Sequence, residues 1–163
     1  MAALPNIHLQ FINVDNKKHL ELNGVDIEQE IRSMEVANQV STVATILEVR
    51  QYAVALQKAM GAEKGVVMDG RDVGTVIMPD AELKLFMTAD LEVRIQRRWK
   101  ELLAKDATTT YEAVKENLQH RDLVDTTRAL DPLVQAKDAI VLDNSDMNEA
   151  QQLAVVMDMV AQK

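Results

Sequence analysis

The 163 residues contain 47% hydrophobic, 27% charged and 3% aromatic positions, a composition typical of one compact soluble domain that needs no disulfide or metal for stability. The 26 acidic and 18 basic side chains give a net charge of −8, which argues against a general nucleic-acid-binding surface, and the absence of cysteine excludes disulfides, thiol nucleophiles and cysteine zinc sites. No apolar run approaches the about 18 residues of a membrane span and no signal peptide is visible, so we expect a cytoplasmic protein without membrane or nucleic-acid partners.

The first third of the chain combines short apolar runs with helical patterns. Segments 8–14 and 19–22 are predicted to form the two strands of a hairpin, because each is apolar and a polar connection joins them. A helix is expected over about 26–34, with Asp26 as its N-cap. A second helix is expected over about 43–60, where apolar residues recur at spacings of three and four.

Downstream, apolar runs alternate with helices. Strands are predicted at 65–68, 83–87 and 139–142. Helices are expected to begin near Asp90, Thr109 and Asp146, the last two at sequences that resemble capping boxes. The final helix is expected to bury Ala150, Leu153, Met157 and Val160. This rhythm indicates an α/β fold with a parallel sheet covered on both faces, and ligands bind such sheets at the carboxyl ends of the strands.

A first candidate site is the segment 69–75, Asp-Gly-Arg-Asp-Val-Gly-Thr, which follows a predicted strand. It places Arg71 and Asp72 at the end of a strand, where a ligand could bind. The alternative is an ordinary surface turn, because turns use the same Asp and Gly residues. The glycine spacing around it imitates the phosphate-binding pattern G-x-x-x-x-G-K-[ST], but an arginine and an aspartate replace the lysine and the hydroxyl residue. No Gly-Lys-Ser/Thr occurs elsewhere, so these residues contain no such loop.

Two predicted helices carry arginines on a single face. Arg94, Arg97 and Arg98 fall at i, i+3 and i+4, where like charges repel one another unless an anion or acidic neighbours balance them. The alternative is a solvated face with ordinary salt bridges. The polar stretch 103–108 after this helix has the character of a mobile lid, as do many helix connections.

On the next helix, Arg121, Asp125 and Arg128 follow at spacings of four and three and therefore share a face. Two guanidiniums in this arrangement could clamp a phosphate, while the carboxylate orients one of them or accepts a hydrogen bond from a sugar hydroxyl. A surface ladder of salt bridges is the alternative. The three histidines have no spacing that indicates a metal site.

Four motifs follow one another along the chain: EIRSMEVANQVSTVA, GVVMDGRDVGTVIMPDAELKLFMTADLEVRIQRRWKEL, the Arg-Asp-x-x-Asp-x-x-Arg set and DPLVQAKDAIVLDNSDM. In their order and spacing they resemble bacterial cytidylate kinases, and the likeness covers nearly the whole chain. The resemblance implies transfer of the γ-phosphoryl group of ATP, with magnesium, to CMP or dCMP. It also implies a P-loop kinase-like, three-layer parallel sheet with a small α+β nucleoside-monophosphate-binding insertion and a short lid.

The resemblance also implies how the chain is organised. Residues 1–62 correspond to part of the insertion, 63–163 to the core, and about 104–116 to the lid. Family members begin with a strand, a P-loop and its helix, which these residues do not contain. We therefore expect a fragment or a truncated gene model. We also expect a monomer that has little kinase activity by itself. A non-catalytic CMP-binding module that has lost its P-loop is an alternative, and a structural domain with solvated arginines is another.

Individual residues receive roles from the same resemblance. Ser41, Arg50 and Asp72 correspond to residues that hold cytosine, whose exocyclic amino group needs an acceptor while N3 and O2 need donors. The residues that correspond to phosphate and ribose ligands are Arg71 and Arg121 for the acceptor phosphate, Asp125 for the ribose, Arg128 for the transferring phosphates, and Arg94, Arg97 and Arg98 on the helix that leads into the lid. Of these, Arg71, Arg121 and Arg128 are the expected catalytic residues. No metal ligand is assigned, since the magnesium and triphosphate ligands belong mostly to the missing segment.

Overall fold

A computed structural model describes residues 4–62 and 64–163 of the chain. The Cα positions divide into two units, Met1–Leu56 and Gln57–Lys163, and each is described by itself. Within the described ranges, no helix combines the length and the apolar character that crossing a membrane requires.

The first unit contains a three-stranded antiparallel sheet. Strands β1 (Leu9–Val14) and β2 (Lys17–Leu22) pair over their whole length, so the predicted hairpin is confirmed. Its turn residues Asp15 and Asn16 have φ angles of 48° and 61°, a left-handed conformation that Asp and Asn tolerate better than most residues. A short β3 (Val25–Asp26) extends the sheet along β2.

The prediction of a helix over 26–34 is wrong. Asp26 ends β3, and its carboxylate accepts hydrogen bonds from the Glu28 backbone N–H and pairs with the His19 ring at 2.7 Å, so it caps no helix. Only a single 3₁₀ turn forms at Glu30–Arg32. Helix α1 (Met34–Val43) starts later, where the Ser33 hydroxyl serves as the N-cap.

Helix α2 (Leu47–Gly61) covers most of the second predicted helix but begins four residues later than expected. The preceding residues end α1 instead, with Ala44 as its C-cap. The Tyr52 hydroxyl on α2 donates to the Ile7 carbonyl at 2.7 Å and so ties this helix to the segment before β1.

The second unit contains a parallel pair of strands with helices between and after them. Strand β4 (Leu85–Thr88) pairs in parallel with β5 (Ile140–Asp143), which confirms the predicted α/β class. The helices are α3 (Leu91–Leu103), α4 (Tyr111–Thr127) and α5 (Glu149–Ala161). Their N-caps are Asp90, Thr110 and Asn148, so the cap of α3 is at the predicted residue, whereas those of α4 and α5 lie one and two residues after Thr109 and Asp146.

The strand predicted at 65–68 does not form. Lys64 and Gly65 both have positive φ, and the Val67 side chain is fully exposed. No described strand lies alongside this segment, and β-branched residues favour a strand only when they can pack and pair on a sheet. The chain continues instead into a short π-helical turn, Val73–Ile77.

The core of the second unit is small. Its buried apolar side chains are Ile77, Ile95, Leu102, Val114 and Leu142. The prediction that α5 buries Ala150, Leu153, Met157 and Val160 is wrong, because Ala150 is exposed and the other three side chains are 50–61% exposed. The Gln152 side chain of α5 accepts a hydrogen bond from Asn144, which directs a different face of α5 toward the end of β5.

Ile95 provides a test of this packing. Its side chain is 0% exposed, so truncation leaves a cavity that neighbouring groups fill only in part. Ile95→Ala should lower the free energy of unfolding by about 2–5 kcal/mol, and Ile95→Val by about 0.5–1.5 kcal/mol, in urea denaturation followed by circular dichroism. Equal midpoints for the two variants and the wild type would contradict the assigned core.

Candidate functional site

The turn around Val73 positions the first two candidate residues. The Met78 N–H donates to the Val73 carbonyl at 2.7 Å, the i→i+5 bond of a π turn, a feature frequent at functional sites. The Asp72 carbonyl accepts the backbone N–H of Val76 at 2.9 Å. This compact turn leaves the Asp72 side chain buried, while Arg71 is half-buried.

The C-terminal end of α4 supplies the next residues. Asp125 is buried, and Arg128, the C-cap of the helix, is only 9% exposed. The Arg128 Nε–H donates to the Asp131 carbonyl at 2.8 Å, and Asp131 adopts a φ of 48°, a left-handed conformation that aspartate accepts more readily than most residues. The backbone after α4 is therefore folded back onto the Arg128 guanidinium.

Charged side chains from these two regions meet. Asp125 Oδ2 lies 2.9 Å from Arg71 Nε, and Asp125 Oδ1 lies 3.5 Å from Arg128 Nη1. Arg128 Nη2 is in turn 3.8 Å from Asp72 Oδ1. Because an unpaired buried charge is strongly destabilising, this pairing explains how two carboxylates remain inside the protein.

Arg121 joins the cluster without an aligned partner for its Nε atom. That atom is buried and has no hydrogen-bond partner among the described residues. Burial lowers the pKa of the Arg121 guanidinium, and the neighbouring positive charges of Arg71 and Arg98 lower it further. Nearby carboxylates, Asp125 among them, oppose this effect only in part. The cluster thus holds a local excess of positive charge that a bound anion would balance.

The three α3 arginines, which the sequence places on one face, have different surroundings. Arg98 pairs with Glu101 at 2.7 Å and lies close enough to Arg121 to affect its pKa. Arg97 donates to the carbonyl oxygens of Asn144 and Met147 at 2.7 and 2.9 Å. The Arg97 guanidinium is therefore occupied by the connection between β5 and α5.

Arg94 pairs with Asp122 at 2.7 Å and donates to the Ala89 carbonyl at 3.2 Å. Sequence reasoning gave no role to Asp122, although it belongs to the Arg-Asp-x-x-Asp-x-x-Arg set. Nothing in the spacing pairs residues that lie 28 positions apart, so only the packing of α3 and α4 identifies this partner.

The other two candidate residues, Ser41 and Arg50, belong to the first unit. Ser41 on α1 is 4% exposed, and Arg50 on α2 is half-buried. The structure therefore brings Arg71, Asp72, Arg121, Asp125 and Arg128 together within the second unit, and their grouping with Ser41 and Arg50 stays a prediction. Within residues 4–62 and 64–163, no set of three or more His, Asp or Glu side chains is placed to hold a metal ion.

The predicted lid contains the connection between α3 and α4. The Trp99 indole N–H donates to the Thr109 carbonyl at 3.1 Å, and its ring meets Tyr111 edge-on at a centroid distance of 5.8 Å. The Tyr111 hydroxyl donates to Glu92 at 2.6 Å. These contacts anchor the end of the connection to α3, and whether the segment moves stays a prediction.

Asp125 should be essential to the stability of this cluster. Asp125→Asn removes the carboxylate shared by Arg71 and Arg128 and leaves the Arg128 charge undercompensated. We expect a loss of about 3–5 kcal/mol in the free energy of unfolding, measured by urea denaturation. Asp158→Asn, at an exposed position on α5, is the matched control and should change it little. A similar small change in both variants would show that the pairing is not important.

The Tyr111–Glu92 hydrogen bond raises the pKa of Tyr111 to about 12, from 10.0. Because the pKa is raised, the bond contributes stability below pH 10, which is lost as the pH rises through about 12. At about pH 11, Tyr111 should be mostly protonated in the wild type and mostly ionised in Glu92→Gln, as followed by the NMR shift of its ring Cζ. Identical titrations in the two proteins would contradict the bond.

Comparison with known proteins identifies the family. A family profile described as cytidylate kinase matches residues 2–162. Similar proteins named cytidylate kinase occur in Parabacteroides distasonis (57% identical, covering 96% of this chain and 69% of the relative), Flavobacterium johnsoniae (49%, 98% and 70%) and Porphyromonas gingivalis (55%, 84% and 60%). The matched regions thus cover 60–70% of these relatives' lengths. The chain belongs to the cytidylate kinase family of phosphotransferases.

Proposed function

We propose that this chain binds CMP or dCMP and provides the acceptor side of a kinase that transfers the γ-phosphoryl group of ATP, giving CDP or dCDP. The observation that carries the proposal is the partly buried cluster of Arg71, Arg121 and Arg98, in which the Arg121 Nε–H has no partner among the described residues. Like charges gathered around a buried donor favour an anionic ligand.

The monophosphate is the part of the ligand that suits this cluster. In our proposal Arg71 and Arg121 hold it, because a phosphate monoester carries a charge of about −1.5 to −2 at neutral pH and several strong acceptor oxygens. Binding would relieve the repulsion between the two guanidiniums and give the Arg121 Nε–H an acceptor. Arg98, paired with the half-exposed Glu101, would add to the same field.

Asp125 is proposed to contact the ribose. Its Oδ2 atom is buried and has no aligned hydrogen-bond donor among the described residues, although Arg71 Nε lies 2.9 Å away. A carboxylate oxygen with spare acceptor capacity can receive a hydrogen bond from a sugar hydroxyl. Arg71 and Arg128 would hold the carboxylate in place for this contact.

The base would be read by Asp72, Ser41 and Arg50. The cytosine amino group is a donor, which the Asp72 carboxylate can accept, while Ser41 and Arg50 donate toward O2 and N3. Uracil presents an oxygen acceptor in place of the amino group, so it would leave a buried carboxylate facing another acceptor. This difference is the proposed origin of the preference for cytosine.

Phosphoryl transfer would depend mostly on alignment and on neutralising charge on phosphate oxygens, for which fixed guanidiniums are suited. Arg128 is proposed to face the transferring group, with the core at 63–163, the nucleotide-binding insertion at 1–62 and the lid near 104–116. Magnesium, when bound with ATP, would neutralise further phosphate charge. The described residues offer no metal-binding group, and we assign the ion no ligand here.

The 163 residues contain no G-x-x-x-x-G-K-[ST] motif. We therefore propose that they bind CMP without appreciable phosphoryl transfer, and that transfer requires a segment carrying that motif. The missing motif also favours a second candidate function, a CMP-binding module without catalysis.

A CMP kinase assay separates the kinase from the non-catalytic module. It compares the chain with a version to which a segment carrying the motif is joined upstream, because only the kinase gains activity from that segment.

Base reading is tested with Asp72→Ala. Loss of the acceptor should weaken CMP binding by about 1–3 kcal/mol and leave UMP binding unchanged or stronger, as measured by calorimetry with both nucleotides. The ratio of the two dissociation constants is the decisive quantity, because Asp72 also lies near Arg128 and its removal is expected to lower stability.

Asp69→Ala is the matched control, since Asp69 is an exposed carboxylate in the same loop. It should leave the ratio of CMP to UMP affinity unchanged. Equal losses for both nucleotides in Asp72→Ala would contradict the base-reading role, and no CMP binding by the wild-type chain would contradict the proposed function.

A further inference from the structure

Arg94 connects three elements of the second unit. Its Nη1 atom lies 2.7 Å from Asp122 on α4, and its Nε–H donates to the carbonyl of Ala89, which follows β4, at 3.2 Å. Arg94 itself lies on α3. One guanidinium therefore joins the end of β4, α3 and α4, and both contacts are to groups of the protein.

The position of Arg121 depends on contacts made by other residues of the second unit. Its Nε atom has no hydrogen-bond partner among the described residues, and the attraction of Asp125 and Asp122 only partly offsets its burial and the repulsion of Arg71 and Arg98. No hydrogen bond from Nε holds Arg121 in the cluster, so its position depends strongly on where the α4 backbone lies. Asp122, the next residue on α4, is the point at which Arg94 holds that backbone.

We propose that the Arg94–Asp122 ion pair is a positioning device that sets the place of Arg121, and that Arg94 does not contact the phosphate itself. This inference rests on the proposed binding of CMP. It differs from the role that family resemblance suggests for Arg94, since its Nε–H and Nη1 donors are directed to Ala89 and Asp122.

The two roles predict opposite effects when Asp122 loses its charge. If Arg94 were a phosphate ligand, Asp122→Asn would free its guanidinium and remove a negative charge near the anion, so CMP would bind more tightly. If the ion pair positions Arg121, the same change releases α4 and weakens binding, although the site becomes more positive. Simple electrostatics cannot produce that loss.

The experiment is a double-mutant cycle on the full chain, with CMP affinity measured by calorimetry. Arg94→Gln and Asp122→Asn should each weaken CMP binding about fivefold, the scale expected for a partly exposed ion pair of about 1 kcal/mol. The double variant should bind no worse than either single variant, because both changes break the same pair. Glu116→Gln, an exposed carboxylate on the same helix, is the control and should bind as the wild type does.

A second measurement needs no nucleotide. The Nε–H resonance of Arg121 should shift in Asp122→Asn but not in Glu116→Gln. Arg94→Lys, which replaces the two nitrogens that contact Ala89 and Asp122 by a single ammonium, should shift it as well. Unchanged or tighter CMP binding in Asp122→Asn, or an unmoved Arg121 resonance, would overturn the inference. A wild-type chain that ignores CMP while the Arg121 resonance responds would refute the proposed function and leave the positioning role supported.

Discussion

The buried carboxylate of Asp125 is the group on which the site depends. It lies between Arg71, on the loop before the π turn, and Arg128, at the end of α4, and so joins segments more than fifty residues apart. A charge in this position is tolerated only when it is paired, so neither segment can move away without leaving an uncompensated ion. The Arg128 guanidinium then also holds the Asp131 carbonyl and the backbone that follows the helix.

The placement of charge decides what this acidic chain can bind. The net charge of −8 describes the whole molecule, whereas in the cluster the three arginines Arg71, Arg121 and Arg128 outnumber the two buried carboxylates, Asp72 and Asp125. Partial burial strengthens the field of these side chains, because less water screens them. In the proposed function, this local excess of positive charge is what holds the phosphate of a nucleotide on a chain that is acidic overall.

Hydrogen bonds tie the carboxyl ends of the two parallel strands together. The Asp90 N–H, just after β4, donates to the Ser145 hydroxyl, just after β5, at 2.8 Å. Arg97 adds hydrogen bonds to the carbonyls of Asn144 and Met147. In parallel sheets ligands bind at this carboxyl edge. Arg97 and Arg94, which donates to the Ala89 carbonyl, thus both stabilise this edge of the sheet, so a row of basic residues need not be a row of ligands.

The sequence by itself determined what short-range physics controls. The β1–β2 hairpin, the start of α3 at Asp90 and the common face of Arg121, Asp125 and Arg128 all follow from interactions within a few residues, and the motif order identified the family. Tertiary structure decided the rest. Val67 forms no strand because no described strand pairs with it, α5 exposes the face predicted to be buried, and Asp122 pairs with Arg94 across 28 positions. Such contacts depend on which surfaces the fold brings together, and local preference carries no information about a partner that is distant in the chain.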